Sequence, residues 1–196
     1  RFTWLQSQLP FSDASLPQVA CEQYREWYSA IDAHSLELVF PAAYLNNPSS
    51  MFGHTLLRLD QQPSSGNSGD RTDLASYAVN FSAQTQETNG ALFAIKGLTG
   101  FYAGRYSLRK YYEMVNTYSE MESRDIWSYP LDFTQEEIDR LLRHLWEMED
   151  VDFEYYFLSE NCSYQLLRLL EVARPDLELS EGYFYQVEPS ATVKTV

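Results

Sequence analysis

The stretch "SENCSYQLLRLLEVA", residues 159–173, carries the reading of the whole chain. It begins polar, turns apolar at helical spacing, and stops just before Arg174 and Pro175. That pattern predicts a helix whose N-cap is Ser159 or Asn161, with Cys162 in the first turn either way. The first turn of a helix has free backbone N–H groups and the positive end of the helix dipole. Both favour a thiolate over a thiol, and the thiolate is the nucleophile. Cys162 also aligns with Leu166, Leu169 and Ala173, so the competing reading is a small buried hydrophobe at the end of a core stripe. Glu160 beside it reads as a carboxylate placed favourably near a helix N-terminus.

A nucleophilic thiol needs a base, and the chain offers only three histidines. His144 falls on the charged side of a helix and reads as a solvated residue, and His34 closes a helix, where it suits the dipole. His54 lies in "MFGHTLLRLD", read as a strand after a glycine, and is the remaining base for Cys162. It reads equally as a half-buried strand histidine bonded to a carbonyl. For the orienting group "SYAVNFSA" offers Tyr77, Asn80 and Ser82, of which Asn80 could accept from a ring nitrogen and fix the tautomer; it reads equally as a strand Asn near a turn.

The remaining elements frame these residues. Residues 1–20 read as an extended lead-in, and 21–34 as a helix with Tyr24, Trp27, Tyr28 and Ile31 at helical spacing. "SLELVFPAAYL", "MFGHTLLRLD" and "LASYAVNFSA" read as strands, with a turn at "NNPSS" and a mobile loop over 61–73. "ALFAIKGLTGFYAGRYSL" reads as strand–loop–strand, its glycines marking close backbone approach. "TQEEIDRLLRHLWEME" is a helix opened by a capping box, Thr134 with Glu137, and "EGYFYQVEPSATVKTV" an aromatic strand or tail. This predicts one α+β domain over 1–196.

Composition narrows the function. With 44% hydrophobic and 15% aromatic residues, the 196-residue chain is a folding sequence. Its net charge of −14 opposes binding to nucleic acid or simple attraction to anionic headgroups. No apolar run approaches the roughly 20 residues that cross a bilayer, and "RFTWLQSQLPF" has no signal-peptide core. The expectation is a cytosolic protein or one that begins after a removed signal. Two cysteines allow one disulfide, Cys21 to Cys162, and give no zinc pattern. No metal or organic cofactor is expected.

"NNPSSMFGHTLLRLD", "YAVNFSA", "KGLTGFYAGRY", "RDIWSYPL" and "FLSENCSYQLL" together resemble the N-terminal periplasmic domain of the Lnb-type lipoprotein N-acyltransferases of Gram-negative bacteria. "GHT" followed by "ENCS" is the most specific part. The resemblance implies a permuted papain-like (NlpC-like) fold: an antiparallel sheet packed against helices, the nucleophilic cysteine at a helix N-terminus, and the histidine ahead of it in the chain. It maps the nucleophile onto Cys162 and the base onto His54; beside that pair Asn80 is the expected third member, and Ser50, Tyr77, Lys96, Tyr102, Tyr106 and Asn161 are the expected substrate contacts. The backbone N–H of Cys162 would hold the oxyanion, and the "KGLTGFYAGRY" loop would wall the acyl groove. The implied partners are a phospholipid acyl donor, a lipoprotein acceptor and the periplasmic face of the inner membrane, reached through membrane-spanning helices beyond this domain. A Cys–His pair serves amide hydrolysis equally, so a cell-wall peptidase or amidase is the first alternative. A non-catalytic binding domain is the second.

Overall fold

The computed structural model describes residues 5, 9, 20–42, 53–62, 75–85, 87, 89–116, 125–183 and 185–196. The expected turn at 46–50, nearly all of the lead-in and most of the 61–73 loop lie outside them. The chain divides into two units, residues 1–30 and 31–196. In the first, helix α1 (Glu22–Ile31) groups Tyr24 with Trp27 and Tyr28, ring centroids 6.0 and 5.8 Å away. Asp32, at φ 48°, ends that helix. His34 therefore falls in the following strand, not at a helix end as expected, with its ring 3.3 Å from Asp32.

The second unit is built on six antiparallel strands. They are β1 (Ala33–Pro41), β2 (Leu56–Gln61), β3 (Tyr77–Ala83), β4 (Tyr102–Lys110), β5 (Ile126–Leu131) and β6 (Phe153–Tyr155), in the order β5-β1-β2-β3-β4-β6. Strands β1 to β4 form a meander. Central β2 is covered on both faces, which is why Leu56, Leu57 and Leu59 are all buried.

Helix α4 (Gln135–Met148) starts at the predicted capping box: Thr134 and Glu137 bond reciprocally. Arg174 bonds Glu137 as well, holding its carboxyl at about 2, well below the usual carboxylate range. The buried stripe Ile138, Leu141, Leu142 and Leu145 packs on helix α5 (Cys162–Ala173) and on β1. His144, on the same helix, is half-buried and not fully solvated. Helix α5 in turn covers β2 and β3. A short helix α3 (Tyr111–Val115) brings Tyr111 and Met114 onto Val39, Leu56 and Ala78.

Two local readings are corrected. Residues 90–98 form a helix, α2 (Gly90–Leu98), where a strand was expected. Asn89 sets it by capping the N–H groups of Ala91 and Leu92, and the Ala, Leu and Lys that follow are good helix formers. The glycines do serve close approach: a Cβ on Gly97 would lie 2.4 Å from the Phe157 ring. The C-terminal aromatic stretch is not a strand; apart from a short helix, α6 (Pro189–Thr192), its described residues are irregular.

Candidate active site

Each residue of "Gly-His-Thr" has its own task. Gly53 adopts φ 89°, and a Cβ there would meet the Phe40 ring at 2.8 Å, so only glycine fits the bend. That bend ends in an irregular lead-in to β2, which holds His54; the expectation of a strand position is corrected to this turn. His54 Nε2 lies 2.6 Å from Asn80 Oδ1 on β3. A carboxamide oxygen only accepts, so Nε2 carries the proton and Nδ1 is left for another partner. The Cys162 thiol hydrogen-bonds the His54 ring, and with Nε2 committed to Asn80 the free acceptor for it is Nδ1. Thr55 completes the join: its backbone N–H bonds the thiol, and its Oγ1 lies 2.8 Å from Ser163 Oγ.

Asn161 is the N-cap of α5. Its Oδ1 accepts from the N–H groups of Ser163 and Tyr164, and its Nδ2 donates to the carbonyls of Phe157 and Val187, the latter at 2.7 Å. Its amide is thus committed to fixing the helix start, and no polar group of that side chain is left over for a substrate. With those two N–H groups taken and that of Gln165 on the Asn161 carbonyl at 3.1 Å, the N–H of Cys162 remains at the helix mouth.

Cys162 is 4% exposed. Burial pushes its thiol up, but the charge of His54, its hydrogen bond and those from Thr55 and Ser163 outweigh burial and bring it down to about 7. Cys162 is a free, buried thiol, and Cys21 is a free, exposed one. Glu160 bonds Gln165 at 3.1 Å, and burial holds its carboxyl above the usual range. Beside the thiol lies a cavity of about 30 Å³ lined by Gly53, Tyr155, Phe157, Leu158, Val187 and Pro189 among others. That is space for a water-sized group.

The other expected contacts are dispersed. Tyr106 is a core residue whose hydroxyl donates to the Gln165 carbonyl at 2.8 Å. Tyr77 is three residues from Asn80, hence on the other face of β3, with the Lys110 ammonium 3.8 Å from its ring centroid. Tyr102 is buried, and its hydroxyl has no partner. Lys96 is on α2, paired with Glu87 at 2.7 Å. Ser50 lies outside the described residues. The sequence reading overlooked Thr55 and Ser163, although they are the last letters of "GHT" and "ENCS", and also Tyr155, which no motif announces.

These distances set a pH dependence. A folded-state pKa below the unfolded thiol value of 9.0 means the thiolate is present from about pH 7 upward, and is lost as pH falls through 7. Alkylation of Cys162 by iodoacetamide, followed by peptide mass spectrometry, is therefore expected to rise with a midpoint near 7. In His54→Ala the midpoint should move upward, because burial is then less opposed. An unchanged midpoint in that variant would show that His54 does not set the thiol.

The family model described as the Lnb N-terminal periplasmic domain matches residues 23–196. No curated protein and no solved structure matches the chain. Among the described residues, no helix is long and apolar enough to cross a membrane. With nearly all of the described residues inside that match, the chain belongs to the Lnb N-terminal periplasmic domain family and is a periplasmic domain.

Proposed function

We propose that this domain is a thiol acyltransferase on a permuted papain-like fold, with Cys162 as nucleophile, His54 as base and Asn80 as orienting group. The observation that carries the reading is the His54 ring, tied at Nε2 to Asn80 and bonded to a thiol with a pKa near neutrality. The appearance of His54 before Cys162 in the chain supports the permuted arrangement, and membership in the Lnb family supports lipoproteins as acceptors.

In the first step the Cys162 thiolate attacks an ester carbonyl of a phospholipid. The N–H of Cys162 stabilises the oxyanion, and the tetrahedral adduct collapses to a thioester. The C–O bond breaks, and His54 gives its proton to the departing lysophospholipid oxygen. In the second step the α-amine of a lipidated N-terminal cysteine attacks the thioester. His54 takes the amine proton and the thiolate leaves, so an amide forms and the enzyme is restored. The described cavity admits the reacting carbonyl, and the alkyl chain would run out over its mouth, where Leu158 is exposed.

Incubation with a defined phospholipid and no acceptor is expected to add one fatty acyl group to the intact mass, removable by neutral hydroxylamine. Lysophospholipid should appear in step with it. The second reading is amide hydrolysis of a cell-wall peptide, since a thiol–imidazole pair suits it equally and the cavity at Cys162 is too small to enclose an alkyl chain. Release of amines from peptidoglycan fragments, with no acylated enzyme, would replace the first reading by the second.

A further inference from the structure

Helix α2 buries one face and leaves an apolar one outside. Phe93 and Gly97 point inward, where Phe93 meets Phe157 and Tyr102 at centroid distances of 4.9 and 5.5 Å. Leu92, Ile95 and Leu98 recur every third residue on the outer side, and Phe101 continues the line. Ile95 is 61% exposed and Phe101 73%. An exposed apolar stripe of this kind on a water-facing domain marks an interaction surface.

Its electrostatics differ from those of the chain as a whole. Twenty-eight acidic residues face 14 basic ones over the full sequence, yet residues 88–112 contain no Asp or Glu and hold Lys96, Arg105, Arg109 and Lys110. Within the stripe, Lys96 is paired with Glu87, and its ammonium lies 5.6 Å from the Phe101 ring centroid. The patch is thus neutral and apolar within an acidic molecule, a surface that an anionic bilayer would accept where the rest of the chain is repelled. It is also continuous with the cleft. The Phe157 N–H donates to the Gly97 carbonyl at 3.0 Å, and Phe157 with exposed Leu158 lines the cavity at Cys162.

We infer that the outer face of α2 with Phe101 docks this domain on a phospholipid bilayer and presents the mouth of the Cys162 cleft to the lipid. The inference rests on the acyltransferase reading for its purpose but not for its test. The 196-residue chain is expected to co-sediment with vesicles of phosphatidylethanolamine containing a minority of phosphatidylglycerol. The double variant Ile95→Asp, Leu98→Asp should weaken that binding by about tenfold or more, since two side chains leave the apolar phase and two charges would enter it.

Circular dichroism establishes that the double variant is folded; if it is not, the milder Ile95→Ser, with the same loss expected in direction, takes its place. Cys162→Ala should bind vesicles as the parent does. Acylation by a short-chain phospholipid below its micelle concentration should survive the α2 substitutions, whereas acylation from vesicles should fall with binding. Equal vesicle binding by parent and folded variant overturns the proposal. So does a parent that forms dimers broken by the same substitutions and ignores vesicles. Vesicle binding that depends on α2 without any acylation would uphold the docking face and remove the acyltransferase reading.

Discussion

Replacing His54 with alanine is expected to slow acylation of Cys162 by roughly 100- to 10,000-fold, the usual contribution of a positioned acid–base group. The variant loses the proton carrier and also the cation that holds the buried thiol near 7, so fewer molecules carry a thiolate and the lysophospholipid departs without a proton. Cys162→Ala should give no adduct at all. Asn80→Ala should fall between the parent and His54→Ala, because the imidazole stays but loses the 2.6 Å bond that fixes its ring and tautomer. The measurement is the rate of thioester formation by intact mass, with circular dichroism confirming the fold. A His54→Ala protein that acylates at the parental rate would remove His54 from the chemistry.

The largest stability effect from a single added methyl is expected at Gly104. A Cβ there would lie 2.3 Å from Phe81 Cζ and 3.1 Å from Tyr155 Cδ2. Phe81 is fully buried and cannot yield alone: its ring stacks on Tyr155 at 5.8 Å and meets the edges of Tyr106 and Phe153. Gly104→Ala should therefore cost about 3 kcal/mol, the upper end of ordinary overpacking. For a chain of this size that lowers Tm by about 6–12 °C. Gly182→Ala is the control, because a Cβ there meets nothing within 4 Å, and its effect should stay within about 0.5 kcal/mol. Similar melting of the two variants would mean that the aromatic cluster gives way easily. Because Tyr155 also lines the cavity at Cys162, Gly104→Ala should disturb acylation as well.

The parts of this molecule written in local chemistry were legible in its sequence. Thr134 and Glu137 announce α4 because a capping box is a contact between residues three apart. Asn161 and Cys162 announce the start of α5 for the same reason. What could not be read depended on distant partners. Helix α2 was hidden by its two glycines, which read as strand punctuation, although Gly97 serves packing on Phe157 and Asn89 caps the helix. Tyr102 and Tyr106 look like groove residues, but β4 turns both inward, one of them onto the α5 backbone. In the site, His54 and Cys162 were identifiable by type and order. Thr55 and Ser163 were not, because their roles arise where two segments 108 residues apart meet, at each other's hydroxyl and at the Cys162 thiol.

That contact bears on how the thiol survives an oxidising compartment. Apart from Ser163 on α5 itself, the groups that ionise Cys162 come from the approach to β2, and the one that orients His54 comes from β3, so they reach the sulfur only when the meander has formed and α5 has docked on it. Such long-range closure is the slow part of folding. Until then Cys162 is an ordinary, mostly protonated thiol, slow to react with disulfides or peroxide. Once the join closes, the sulfur becomes reactive and, in the same event, is withdrawn to 4% exposure. On the proposed reading, ionising and shielding the thiol are one event in this fold.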